Sequence, residues 1–268
     1  MKLLESLAAG VRIYDLAQPL KVGMPSSPNH PGFRMALIRR HGDMVREDGS
    51  SAANELIVTG GHVGTHVDAL AHVSYRGELH GAISAYEAQK GGSFTRLGID
   101  TMEPLVCRGV LLDVAALKGC TVLPGGYAIT AQDLQAAAQQ AGVAIQSGDV
   151  VLVRSGWARY FDDPGRFLGH ESGVPGPDEE AARWLAQHGI RATGSDTTAY
   201  EHIPPGMGHR LLPVHRLLLV ERGIHIIEML NLEALAADHI REFLFVLAPL
   251  KIVGATGSPV RPLAVVEQ

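Results

Sequence analysis

Between His62 and His72 the chain reads His-Val-Gly-Thr-His-Val-Asp-Ala-Leu-Ala-His, three histidines and one aspartate within 11 residues. Imidazole and carboxylate side chains are ligands for borderline to hard divalent ions such as Zn2+ and Mn2+. His62 and His66 are four apart and share a face if the segment is helical. Asp68 lies only two beyond His66, so one straight helix cannot aim all three at a point. A turn at Gly64 that runs into a helix can, because glycine frees the backbone there. His72 then falls one helical turn beyond Asp68. A catalytic metal centre keeps an open coordination position and a general base close by, and His72 is the candidate base. The competing reading is a helix start, with Thr65 as N-cap and Asp68 as the third helical residue of a capping box, and the histidines on the surface or in the core. A lone histidine fits that reading better; three histidines and an aspartate at this spacing favour a metal.

Two further candidates lie late in the chain. Glu228 closes Ile224-His225-Ile226-Ile227-Glu228, which reads as a strand with Ile224, Ile226 and Glu228 on one face and His225 on the other. A buried carboxylate must be paired or hold a metal, so the alternative for Glu228 is an arginine partner such as Arg191, Arg210 or Arg216. His215 opens a helical stretch just after Pro213, either as a further ligand or as a surface histidine. His30, His202 and His209, with Tyr200 and Met207, fall in Pro/Gly loops, where substrate contacts are common but surface positions are commoner. Trp157 reads as core. Asp196 either orients the site or caps a turn.

The elements that must position these residues alternate along the chain. Strands are expected at Val11–Leu16, Phe33–Arg40, Asn54–Thr59, Cys107–Val114, Asp149–Arg154, Ile190–Ser195, Ile224–Glu228 and Phe243–Leu247. Helices are expected at Thr130–Ala141, opened by a Thr130/Asp133 capping box, at Pro177–His188, with acidic residues in its first turn, and at His215–Glu221, stopped by Gly223. The expectation is an α/β fold, a single domain over residues 1–268 with a mixed sheet flanked by helices.

Composition narrows the function. The chain has 268 residues, 46% hydrophobic and 19% charged, with a net charge of −5. That excludes a disordered chain and argues against a general nucleic-acid binder, because phosphate binding needs a basic face. Thirteen histidines against 23 Lys and Arg make histidine the unusual residue. Cys107 and Cys120 are too few for a disulfide scaffold and fit a reducing compartment. The N-terminus has no apolar signal core, and no run approaches the ~18 residues needed to span a bilayer. A cytoplasmic protein with a small-molecule substrate, and without nucleic-acid or membrane partners, is the expectation. There is no Gly-x-Ser-x-Gly elbow, phosphate loop or dinucleotide fingerprint, and Cys107 at the edge of a buried strand reads as core rather than nucleophile.

The run His62-x-Gly64-Thr65-His66-x-Asp68-x-x-x-His72 resembles the HxGTHxDxxxH signature of the cyclase superfamily. That group includes bacterial kynurenine formamidases, isatin hydrolases and proteins described as polyketide cyclases. Tyr14-Asp15-Leu16, Gly148–Gly156 and His215–Leu232 extend the resemblance over most of the chain. It implies a barrel-like mixed sheet, a homo-oligomer such as a dimer or tetramer, and one or two Zn2+ or Mn2+ ions. It also implies His62, His66 and Asp68 as ligands, His215 and Glu228 as later ligands, and His72 as proton donor and acceptor. The loop Gly23–His30 resembles a substrate loop in which the formamidases typically carry tryptophan before the second proline; here that residue is Ser27. Loss of that ring removes stacking of about 1 kcal/mol. The expected reaction is therefore hydrolysis of a C–N amide bond, a cyclic amide as in isatin hydrolases. Arylformamidase, lactone hydrolase or polyketide-type cyclase activity at the same site, or a non-catalytic metal-binding protein, are the alternatives.

Overall fold

The computed structural model describes residues 2–268. Nine strands build the main sheet: β1 (Val11–Asp15), β2 (His66–Asp68), β3 (Leu105–Asp113), β4 (Val150–Arg154), β5 (Ala192–Ser195), β6 (His225–Glu228), β7 (Glu242–Leu247), β8 (Gly257–Pro259) and β9 (Leu263–Glu267). Their order across the sheet is β1-β9-β7-β3-β4-β5-β6-β2-β8. The central four, β3 to β6, run parallel, and the pairs on both flanks are antiparallel. Parallel neighbours need long crossovers, and here helices supply them. Helix α1 (Ala131–Ala141) joins β3 to β4, α2 (Glu179–Gln187) joins β4 to β5, and a helical stretch over 213–222 joins β5 to β6.

Strand alternation divides the core in two. Val110, Leu112, Val151 and Val153 face the helices, where Leu134, Ala137, Leu185 and Leu217 meet them. Leu111, Val150, Leu152, Ala192 and Ile227 face the other way and pack with Tyr14, Val67, Phe243, Phe245 and Ala264 from the sheet's own flanks. The sheet curls around this second core as a half-barrel, so the barrel-like expectation holds. Each fully buried Val, Leu, Ile or Phe among them contributes about 1.5–3 kcal/mol.

Local signals explain the helix ends. Thr130 Oγ1 accepts from the Asp133 N–H, and the Asp133 carboxylate accepts from the Thr130 N–H, completing the expected capping box. Asp178 caps α2 from the N-cap position, accepting from the Ala181 N–H. After Pro213–His215 the chain widens into a π-helix over Arg216–Arg222, and Gly223 ends it in the left-handed region at φ 66°. The expected strands near 33–40 and 54–59 also form, as a hairpin (Arg34–Arg39 with Asn54–Val58) outside the main sheet.

One local reading is corrected. The segment after Gly64 is not a helix: His66–Asp68 is strand β2, held between β6 and β8. Thr65 does not cap a helix; its hydroxyl donates to the Met229 carbonyl at 2.6 Å and accepts from the Gln18 N–H. The reason is tertiary. Two strands distant in sequence take up the backbone hydrogen bonds of 66–68, and a three-residue strand shows no periodicity of its own. In a strand, residues two apart share a face, so His66 and Asp68 point the same way without any helix.

Candidate metal centre and active site

Register sets the first pair: Glu228 on β6 lies opposite His66 on β2. His66 Nδ1–H donates to the Gly64 carbonyl at 2.8 Å. That fixes the tautomer and leaves Nε2 as a lone pair, 3.4 Å from Glu228 Oε2 and 3.6 Å from Asp68 Oδ1. The turn that supplies this carbonyl needs glycine: Gly64 has φ 68°, and a Cβ there would lie 2.4 Å from Leu20 Cδ2.

His215 reaches the same point from the helical crossover. Its Nδ1–H donates to Glu201 Oε1 at 2.6 Å, and its Nε2 lies 3.1 Å from Glu228 Oε1 and 3.6 Å from Asp68 Oδ2. Glu201 also accepts from the backbone N–H groups of Val214 and His215, anchoring the start of that helix. A carboxylate behind an imidazole is the usual arrangement that orients a metal-ligating histidine. Left-handed backbone accompanies both carboxylates: Tyr200, just before Glu201, has φ 57°, and Met229, just after Glu228, has φ 56°. Such conformations cost about 1–3 kcal/mol each and cluster at functional sites.

His62 completes the group. Its Nδ1 is 2.8 Å from Asp68 Oδ1 and its Nε2 is 2.9 Å from Thr256 Oγ1. Its ring rests against Gly257, where a Cβ would come within 2.5 Å of it. His72 stacks on His62 with ring centroids 3.8 Å apart, and no protein hydrogen bond engages its ring among the described residues. Two ligand-type sets emerge, His66/Asp68/Glu228 and His62/Asp68/His72, each with its atoms within 4.8 Å of one another.

Burial sets the electrostatics. Asp68, Glu228, His66 and His215 are all nearly inaccessible. Burial alone would raise Asp68, but its imidazole neighbours His72, His215 and His62 hold it well below the usual carboxylate range. Burial alone would lower His215, and its three carboxylate neighbours Asp68, Glu201 and Glu228 more than reverse that. His62 is likewise raised because the Asp68 hydrogen bond outweighs burial. His72 differs: burial dominates and pushes it down to about 3, leaving a neutral imidazole. Asp68 Oδ2 is buried with no hydrogen-bond donor. Buried anionic oxygens facing imidazole lone pairs, with no lysine or arginine among them, fit a divalent cation between them.

These groups open into a cavity of about 260 Å³, lined by six imidazoles (His30, His62, His66, His72, His209 and His215) together with Ser27, Thr198, Leu212 and Glu228. Of the loop candidates, His30 and His209 therefore reach the cavity. His202 bonds instead to the Gly126 carbonyl, Tyr200 is buried against Thr193, and Met207 lies exposed. His225, on the other face of β6 as expected, donates from Nδ1 to the Asp68 carbonyl at 2.8 Å and so holds β2 in place. Asp196 caps a turn, accepting from the Ser155 and Gly156 N–H groups and the Ser155 hydroxyl. Trp157 is core, its Nε1–H bonded to the Phe167 carbonyl. None of Arg191, Arg210 or Arg216 pairs with Glu228; Arg216 bonds Glu179 and Glu221 instead. Sequence reasoning missed Glu201 and Thr256. Neither lies in a recognisable spacing with the histidines, and only tertiary contact brings them in.

With this geometry in view, comparison with known proteins is informative. The sequence profile of the Cyclase family matches residues 14–202, more than half the chain. The protein belongs to the cyclase family. Within it, the isatin hydrolase of Roseibium aggregatum is 32% identical over 125 residues, a match that spans 46% of each chain, so the chain spans about half the length of that curated relative. The crystal structure of a novel cyclase superposes with a TM-score of 0.84 at 28% identity, covering 97% of this chain and 91% of the other. Isatin hydrolase A from Ralstonia solanacearum gives 0.74 at 26% identity, covering 99% and 96%. The cyclase-family fold is thus shared over its whole length. No helix among the described residues is long and apolar enough to cross a membrane.

Proposed function

We propose that this cyclase-family protein is a metal-dependent hydrolase of a C–N amide bond, and of a cyclic amide in particular. The observation that carries the reading is the convergence of His66, Asp68, Glu228 and His215, with one Asp68 oxygen lacking any donor and no lysine or arginine beside the carboxylates. His66, His215, Asp68 and Glu228 would hold a divalent ion, Zn2+ or Mn2+, and His62 lies close enough to Asp68 to join one or a second ion. When bound, such an ion polarises a carbonyl and makes hydroxide available near neutral pH.

The chain's own residues supply the rest. His72, neutral and with its ring free of protein hydrogen bonds, takes a proton from the attacking water as the C–O bond forms. It returns that proton to the nitrogen as the C–N bond breaks. Glu201 keeps Nδ1 of His215 protonated, so that Nε2 points inward. His30, His209 and Ser27 line the cavity and offer hydrogen bonds to a small neutral substrate. No Phe, Tyr or Trp side chain lines this cavity, and that favours a compact cyclic amide over N-formylkynurenine, whose aromatic ring would find no stacking partner beyond imidazole.

Elemental analysis after dialysis against Zn2+ or Mn2+, paired with a panel of lactams, imides, formamides and lactones that includes isatin and N-formylkynurenine, tests this reading. Bound metal with turnover of cyclic amides is expected. Bound metal with no turnover on the panel would turn the reading to a non-catalytic metal-binding protein, and preferential lactone opening would turn it to a lactone hydrolase.

A further inference from the structure

Strands β3, β5 and β6 begin along one edge of the sheet, at the end of β6 opposite to Glu228. A second cavity, of about 330 Å³, opens at that edge. Its floor is apolar, formed by the buried side chains of Leu105, Ile190 and Ile224. Its walls are polar. Arg191 stands just before β5, Arg222 and His225 flank the turn at Gly223, and Thr101 and Glu103 precede β3. None of Glu103, Arg191 and Arg222 forms an ion pair with another described residue. The other two polar groups have already given their protons away. His225 Nδ1–H goes to the Asp68 carbonyl at 2.8 Å, so Nε2 presents a lone pair. Thr101 donates its hydroxyl proton to the Gly98 carbonyl at 2.7 Å, which leaves its oxygen as an acceptor.

We infer that this cavity binds a small amino-carboxylate, a molecule with a carboxylate and an ammonium group on a short apolar chain. The two guanidiniums are fixed cationic donors and match a carboxylate. Glu103, His225 Nε2 and the Thr101 hydroxyl are the acceptors that an ammonium group needs. Simpler ligands leave part of the wall opposed. A phosphate or a bare carboxylate puts negative charge beside Glu103 and a lone pair. A bare amine meets two arginines.

The protein's own reaction is a source of this chemistry. Hydrolysis of a cyclic amide breaks one C–N bond, with hydroxyl added to the carbonyl carbon and hydrogen to the nitrogen. The opened product therefore carries a carboxylate and an amine on one chain. Naming that product as the occupant rests on the hydrolase reading; the preference of the cavity for an amino-carboxylate does not. His225 also ties the cavity to the candidate metal centre, since one ring nitrogen faces the cavity wall and the other holds the Asp68 carbonyl. On the next wall, the Ile99 N–H, two residues before Thr101, donates to the Ala255 carbonyl at 2.7 Å, beside the Thr256 hydroxyl that bonds His62. Occupancy bears on β2 and on His62 together, and gives the product a route to slow the reaction that forms it.

Isothermal titration calorimetry tests the site with 4-aminobutanoate, butanoate, butylamine and inorganic phosphate. Saturable binding of 4-aminobutanoate is expected, with the other three at least about tenfold weaker, since each loses charged hydrogen bonds. R191Q/R222Q, altered at two exposed positions, should fold normally and bind 4-aminobutanoate at least about tenfold more weakly. Hydrogen exchange locates the ligand: amides of 101–105, 190–191 and 222–225 should gain protection. Saturating 4-aminobutanoate should slow turnover of the best panel substrate by the native protein and not by the variant, whose rate without ligand should equal the native one. Absence of saturable binding, equal binding of butylamine or phosphate, undiminished binding by the variant, or protection confined to the catalytic cavity at 27–30 and 198–215 would each overturn the inference. Binding that leaves native turnover unchanged would overturn the feedback role. Should no panel substrate turn over, the hydrolase reading fails and calorimetry with exchange still decides the site.

Discussion

Two buried charged clusters sit on the same sheet, both built on register partners of adjacent strands, and they are opposites. In the first, Asp113 on β3 pairs in register with Arg154 on β4. The Arg154 guanidinium donates to Asp113 at 2.9 Å, to both oxygens of Glu233 and to the Thr121 carbonyl. Burial disfavours its charge, yet Glu233 and Asp113 raise its pKa further. In the second cluster, Glu228 on β6 faces His66 on β2, with Asp68 and His215 beside them, and no arginine or lysine is present. The first cluster carries its own cation and is closed. The second gathers anionic oxygens and imidazole nitrogens around a point that no lysine or arginine fills. A permanent cation in the cluster marks a structural network, and carboxylates gathered with imidazoles alone mark a site for an external ion.

Four substitutions would break or sharpen that contrast, and the largest effect is expected at Asp68. Asp68→Ala should remove bound metal and lower kcat/KM by about 10³-fold or more, since several kcal/mol of charge stabilisation is lost. Elemental analysis and turnover of the best panel substrate check it. His72→Ala should lower kcat by about 10²–10⁴-fold while metal content stays at the native level. An empty site in that variant would make His72 a ligand instead of a proton carrier. Arg154→Met belongs to the other cluster. It should cost about 3–5 kcal/mol in urea unfolding, because Asp113 is left buried without its main partner, and leave metal content of the folded protein unchanged. Glu201→Gln should have the smallest effect, a metal affinity about 10–100-fold weaker by competition with a chelator, because it loosens His215 without removing a donor to the ion.

The two clusters also differ in how legible they are. The run from His62 to His72 is readable because the chemistry is local: four side chains within one short segment, punctuated by glycines. Strand alternation over Ile224–Glu228 supports Glu228, whereas His215 is marked only by the family resemblance, since its place after Pro213 fits a surface histidine equally well. What the sequence hides is how these residues meet. His66 and Asp68 share a face because β2 is a strand, and β2 is a strand only because Ile227 and Ser258 pair with Val67 from far along the chain. A three-residue element has too few positions for period two to be distinguished from period 3.6. Glu201 is hidden for the same reason: its role is defined by His215 at the other end of a loop. The central strands and the two long helices were readable, because buried parallel strands are continuous apolar runs and capping residues mark helix starts. The hairpin was readable as two strands but not as standing outside the main sheet, since apolar content alone does not say which neighbour a strand pairs with.

The central claim is that the Asp68 cluster exists to bind a divalent ion. Elemental analysis of the native protein and of Asp68→Asn, side by side after dialysis against Zn2+ or Mn2+, addresses it most directly. The account predicts stoichiometric metal in the native protein and none retained in the variant, with both folded by circular dichroism. No metal in the native protein, or equal metal in the two, would contradict it.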